Sequence, residues 1–139
     1  MNQIDIVDHI WQCVRDIEVD RIDHGINALE DEKLCTEIAK RGLGLTVCPV
    51  SNRFVVQSLT SSEIKKMLQK NMKVGINSDD PGYFRAYLSD NFLALINETE
   101  FSLNEIRQLN YNAFETSWLS QERKDEYLKQ IDEFGRPWF

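Results

Sequence analysis

The sequence contains no apolar run near the roughly 18 residues that a membrane-crossing helix needs, so no membrane is expected among its partners. Its opening, MNQIDIVDHI, has neither the basic start nor the apolar core of a secretory signal. Blocks rich in lysine and arginine are also missing, and the net charge is -7. Nucleic acid and anionic lipid both require a basic footprint, so no nucleic acid is expected either. Cysteine is scarce: Cys13, Cys35 and Cys48 are scattered, odd in number and set in apolar patterns. That usage argues against a disulfide frame or a cysteine-ligated zinc, and for free thiols in the cytoplasm. Histidine is scarcer still, with only His9 and His24.

What remains is ordinary soluble material. At 42% hydrophobic and 28% charged residues, a chain of 139 has the make-up of one folded domain and not of a disordered tail. No internal repeat, low-complexity tract or linker interrupts it. Residues 4–17 place Ile4, Val7, Trp11, Val14 and Ile17 at spacings of three or four, the face of one helix. Residues 30–41 form a second stripe, with acids in the first turn, bases in the last and Gly42 at the C-cap position. Thr60 with Glu63, and Ser102 with Glu105, read as capping boxes that open two further helices. A last helix is expected over about residues 121–134.

Between these helices lie three short strand-like runs, Glu18 to Asp23, Leu43 to Cys48 and Met72 to Asn77. Strands alternating with helices predict a parallel α/β sheet built from right-handed crossovers. Their starts are 25 and 29 residues apart, about one βα unit each. Three strands are few, since a closed (β/α)₈ barrel takes about 250 residues. The pattern also begins in a helix with no strand before it, so residues 1–139 are expected to form a single incomplete barrel domain.

In parallel α/β folds the working residues gather at the C-terminal ends of the strands. Here the first strand ends in Asp23-His24-Gly25, the second in Cys48-Pro49-Val50-Ser51-Asn52 and the third in Ser78-Asp79-Asp80-Pro81. Alternation puts Asp20, Ile22 and His24 on one face of the first strand, and Gly75, Asn77 and Asp79 on one face of the third. If both faces point into the same interior, His24 and Asp79 converge across one intervening strand, with backbones roughly 10 Å apart. That separation is expected to be too wide for direct contact but suited to a metal-held water, with the carboxylate on zinc and the imidazole handling a proton. The plainer alternatives are a structural His-Gly turn and a solvated Asp-Asp-Pro turn or helix N-cap. His9 reads as a helix-surface residue and Cys48 as core packing. Tyr83, Phe84, Tyr87 and Phe92 read as a packed helix face, with a lid role left open.

Taken together, RIDHGIN (residues 21–27), TVCPVSN (residues 46–52) and NSDDPGYF (residues 77–84) resemble the adenosine/adenine deaminase family in identity, order and spacing. The likeness extends over essentially the whole chain. Asp23, Ser78, Tyr83 and Phe84 look more like the adenine deaminase branch, although Arg85 and Ala86 stand where that branch tends to have small residues. The resemblance implies the C-terminal portion of a TIM-type (β/α)₈ barrel, roughly its last three βα units. It also implies a zinc-dependent hydrolase in purine metabolism that removes the 6-amino group of adenine or adenosine, giving hypoxanthine or inosine plus ammonia. By position, Asp79 is implied as a metal ligand and Asp80 as a substrate-binding residue near purine N7. His24 is implied as the catalytic residue that helps activate the attacking water.

The family draws its other zinc ligands from a His-x-His and a His-x-Gly-Glu motif, whose Glu protonates ring N1. Neither motif occurs among these 139 residues. Zinc takes about four ligands, so the site is expected to be incomplete without an N-terminal part. The alternative is a non-catalytic remnant or interaction module that keeps the partial barrel. Either way the outer strands are expected to lack partners, which favours a complementing chain or self-association.

Overall fold

The computed structural model describes residues 7–56 and 60–135. Its centre is a sheet of three parallel strands in the order β1-β2-β3, formed by Arg21–Asp23, Gly44–Val47 and Lys73–Ile76. The register aligns Ile22 with Leu45 and Leu45 with Val74. These three side chains are almost fully buried and form the middle of the core. The next row, Asp23, Thr46 and Gly75, faces the opposite side. One face is therefore greasy and covered, and the other is sparse and polar. A parallel α/β sheet had been expected, and this is its topology.

The helices follow from local chemistry. Helix α1 (Val7–Gln12) passes directly into a π-helical turn, Cys13–Ile17, closed by Glu18 in the left-handed region at φ 57°. The wider i to i+5 turn rotates the chain off the 3.6-residue period. Ile17, expected on the apolar face, is consequently 67% exposed, while Ile4 lies outside the described residues. The turn also shortens the first strand, which begins at Arg21 and not at Glu18. Helix α2 (Glu32–Arg41) keeps the expected ends. The Asp31 carboxylate caps it by accepting from the backbone N–H of Lys33 at 2.8 Å and of Leu34 at 3.2 Å, and Gly42 ends it at φ 65°. The same carboxylate accepts from the Trp11 indole N–H at 2.8 Å, tying α1 to α2.

Helix α3 (Pro49–Val56) follows β2 directly, and α4 (Ser61–Gln69) leads into β3. The capping box expected at Thr60 does not form. Thr60 sits at ψ 4°, outside the extended geometry that aims an N-cap hydroxyl at the helix. Its buried hydroxyl makes no cap bond, and the Glu63 carboxylate accepts from Ser62 instead. Beyond β3 come a short turn of helix, α5 (Pro81–Phe84), then α6 (Leu88–Glu98), α7 (Leu103–Glu115) and α8 (Gln121–Gly135). At α7 the second capping box is complete. Ser102, with ψ 157°, accepts from the Glu105 N–H at 3.2 Å, and the Glu105 carboxylate accepts from the Ser102 N–H at 2.8 Å.

Helix α7 changes the expectation for the sheet edges. Asn77 donates its N–H to Val47 of β2, so the alternate residue Val74 turns its carbonyl away from β2. That carbonyl accepts from the Asn112 amide of α7 at 2.9 Å, and Leu109 of the same helix is fully buried. Close approach is possible because position 75 is glycine: a Cβ there would lie 3.1 Å from the Cβ of Ala113. The outer edge of β3 is thus helix-covered, where an unpaired strand edge had been expected. Helix α8 backs α7 through a stacked Phe114–Tyr127 pair 4.6 Å apart and through Asp132, which accepts from Arg107 and Tyr111.

Replacing Asn112 by Ala should strand the Val74 carbonyl and cost about 1–3 kcal/mol. Urea unfolding at unchanged m would show this, and an unchanged midpoint would refute the edge assignment. Asp31 supplies a second prediction. Its hydrogen bonds, first that from Trp11, hold its carboxyl below the usual aspartate range. A depressed carboxyl contributes stability that is complete above the unfolded value and is lost as pH falls through the folded one. Asp31→Ala should therefore lower the thermal midpoint at neutral pH and flatten its decline on the acid side, as read by thermal melts across acidic pH.

Candidate active site at the strand ends

The site begins where two strands stop. His24 follows β1 with φ 62° and Asp79 follows β3 with φ 58°, both in the left-handed region that non-glycine residues enter at a cost of roughly 1–3 kcal/mol. At His24 the turn is held from both sides. Its N–H donates to the Thr46 carbonyl at 3.0 Å, extending the β1–β2 ladder by one residue. Gly25 then continues at φ 78°, where a Cβ would lie 2.6 Å from a Leu45 methyl. These turns aim both side chains toward the end of β2. The result is His24 Nε2 at 3.7 Å from Asp79 Oδ2. Direct contact had been judged out of reach from backbone spacing alone; turning inward at both strand ends closes that gap.

The segment after β2 fastens the pair. Ser51 and Asn52, both buried in the first turns of α3, point at the two site residues. The Ser51 hydroxyl donates to Asp79 Oδ2 at 2.5 Å, and the Asn52 side-chain oxygen lies 3.2 Å from His24 Nδ1. That oxygen is an acceptor, so Nδ1 carries a hydrogen and donates it. Helix α3 is itself anchored by Val50, whose N–H donates to the buried Asn91 of α6 at 3.0 Å. Cys48, at the end of β2, completes the group: ligand atoms of His24, Cys48 and Asp79 all lie within 4.8 Å of one another. Burial, and next the negative charge of Asp79, push the Cys48 thiol up to about 12.

His24, Cys48 and Asp79 border a cavity of about 430 Å³ that also touches Asp23, Thr46 and Asn77, a volume within the range of small-molecule sites. In its wall the Thr46 hydroxyl donates to Asp23 at 2.8 Å, and the Arg21 guanidinium lies 4.0 Å from the Trp118 ring centre. Asp80 is placed apart from this lining. It is exposed and caps α5, its Oδ1 accepting from the Tyr83 N–H at 3.0 Å. Of the aromatic group, Phe92 packs on the core, whereas Tyr83 and Tyr87 are exposed. Phe84 contacts Phe54 with ring centres 5.6 Å apart. His9 is exposed on α1, as expected.

An imidazole nitrogen, a carboxylate oxygen and a thiol sulfur are a donor set that suits a zinc-like divalent cation. With Nδ1 committed to Asn52, the lone pair of Nε2 faces a carboxylate oxygen, an opposition that a proton or cation between them relieves. The residues present therefore fit a metal. Sequence reasoning had found His24 and Asp79 and had missed the roles of Ser51, Asn52 and Cys48. The available signal was a pair of polar residues set immediately behind a strand end.

Comparison with known proteins bears on this arrangement. A sequence model of the adenosine deaminase family matches residues 6–134. An adenine deaminase from Marinomonas is 46% identical over 126 residues, covering 89% of this chain and 38% of that protein. The crystal structure of an adenine deaminase from Arthrobacter aurescens superposes with a TM-score of 0.91 at 32% identity, over 98% of this chain and 42% of that one. An amidohydrolase from Burkholderia ambifaria, solved with bound Zn, shares the fold with a TM-score of 0.80 at 21% identity, over 94% of this chain and 38% of that one. The chain thus spans about two-fifths of the length of the relatives it matches. Across that span, with three parallel strands and its polar residues gathered at their ends, the chain belongs to the adenosine deaminase family.

Proposed function

We propose that these 139 residues form one wall of the active site of a zinc-dependent purine deaminase, an incomplete barrel domain completed by further sequence. The reaction is adenine plus water giving hypoxanthine plus ammonia. The convergence of His24 and Asp79 at 3.7 Å, from the ends of β1 and β3, carries the proposal. The bound zinc of the Burkholderia ambifaria neighbour supports a metal here. Asp79 is the residue of this chain that holds it, oriented by the Ser51 hydroxyl. The metal supplies Lewis acidity, which makes a water nucleophilic near neutral pH. His24 handles the proton at Nε2, because Nδ1 is committed to Asn52. The remaining ligands and the acid for ring N1 come from the sequence that completes the barrel. Its docking place is the outer edge of β1, which among the described residues pairs only with β2.

The named adenine deaminases among the relatives favour adenine over adenosine as the substrate. Asp80, which caps α5 through Oδ1, is the residue assigned to the purine ring.

The test is a chimera in which this chain replaces the matching segment of the Marinomonas enzyme. The chimera should release ammonia from adenine and scarcely from adenosine, the chain alone should be inactive, and Asp79→Ala should abolish turnover. A folded, zinc-loaded chimera without activity would overturn the proposal in favour of a non-catalytic remnant. Asn52→Leu in the chimera should reduce kcat by about 10–100-fold, the usual cost of losing an outer-shell partner, with KM little changed.

A further inference from the structure

We propose that Asn91, in the first turn of α6, is a positioning residue for the site. It supplies from another helix the N-terminal cap that α3 lacks, and through α3 it sets Ser51 and Asn52 against Asp79 and His24. The effect on turnover rests on the deaminase reading, whereas the effect on the His24 ring does not, so each can fail without the other.

Helix α3 opens without a capping oxygen of its own. The first turn of a helix leaves N–H groups with no intrahelical carbonyl, and an oxygen-bearing side chain in front of the helix usually accepts from one of them. Pro49 begins α3 and has no N–H, so Val50 carries the first donor. The residue in front is Cys48, whose thiol is a weak acceptor and is directed at the Thr46 carbonyl 3.7 Å away. Asn91 fills the gap, its Oδ1 accepting from the Val50 N–H at 3.0 Å. Asn91 is fully buried, so bulk water does not compete for that bond.

The path from Asn91 to the chemistry is short. Val50 is followed directly by Ser51 and Asn52, whose side chains hold the Asp79 carboxylate at 2.5 Å and the His24 ring at 3.2 Å. Both lie in the opening turn of α3, which the Asn52 N–H closes on the Cys48 carbonyl at 2.8 Å. If that turn pivots, hydroxyl and amide move together. An amide at position 91 suits the task. Its Nδ2 donates to the Tyr87 carbonyl one turn back at 2.9 Å, which fixes the way the amide faces and leaves Oδ1 toward α3. The same carbonyl also accepts from the Asn91 backbone N–H at 3.2 Å. Losing the side chain therefore leaves the head of α6 bonded and withdraws support from α3. A carboxylate at position 91 would still accept from Val50, and it would sit at the positive ends of two helix dipoles.

The scarcity of histidine makes the test direct, because His9 is exposed on α1 and His24 alone reports on the site. Nitrogen-15 spectra of the metal-free 139-residue chain, in mildly alkaline buffer where imidazole is neutral, should show His24 held as the Nδ1–H tautomer. Asn91→Leu should shift that ring toward a mixture of tautomers while circular dichroism shows the chain folded. Asn91→Ser, too short to reach Val50, should do the same, and Asn91→Asp should restore the wild-type pattern. Asn112→Ala, which loosens the outer edge of β3, should leave the pattern unchanged. In the chimera with the Marinomonas enzyme, Asn91→Leu should lower kcat about tenfold with KM little changed, and Asn91→Asp should recover most of the loss. An unaltered His24 tautomer in both Asn91→Leu and Asn91→Ser, an equal change in Asn112→Ala, no rescue by Asn91→Asp, or an unchanged kcat in an active chimera would each overturn the assignment. An inactive chimera beside the expected tautomer changes would overturn the deaminase reading and uphold the positioning role.

Discussion

Two backbone conformations govern the site. His24 and Asp79 leave their strands in the left-handed region, and each has a contact that restrains it there. At His24 the restraint is a ladder hydrogen bond to Thr46 followed by a glycine wedged against Leu45. At Asp79 it is the buried Ser51 hydroxyl on the carboxylate. An extended continuation would have carried the two side chains along separate strands. Such conformations persist where the surrounding structure over-determines them.

The sheet supplies the rigid base for those turns. Ile22, Leu45 and Val74 lie in one row and are buried together, so a slip of register would move polar residues into the core. Helix α3 starts one residue after Cys48, which places Ser51 and Asn52 beneath the site with no loop between. Asn91 in α6 steadies that helix from behind. The candidate site therefore sits on short, packed elements.

Much of this was legible in the sequence. The alternation of helices with short apolar runs pointed to a parallel sheet, and the Asp-His-Gly and Asp-Asp-Pro endings supply the two side chains, His24 and Asp79, that come together at the strand ends. Ser102 with Glu105 read correctly because a capping box is local, fixed by four residues. Thr60 with Glu63 has the same signature and does not close, since Thr60 stands at ψ 4° and not in the extended region that a capping box needs. The π turn at Cys13 escaped pattern reading because its residues continue a helical period while its hydrogen bonds do not. Cys48 was read as core packing and is buried; its closeness to His24 and Asp79 depends on two side chains from other strands, a relation with no spacing rule. The coverage of β3 by α7 was likewise invisible, because it depends on one amide reaching one carbonyl across 38 residues of sequence.

Gly75 has a wider significance. With no side chain at that point, the backbone of α7 settles against the sheet and brings Asn112 to the strand's outer rim. A methyl group there would lie 3.1 Å from the Ala113 Cβ and oblige α7 to yield by a few tenths of an ångström. The smallest residue in the strand thus lets a helix, and not another strand, sit close along that side of the sheet.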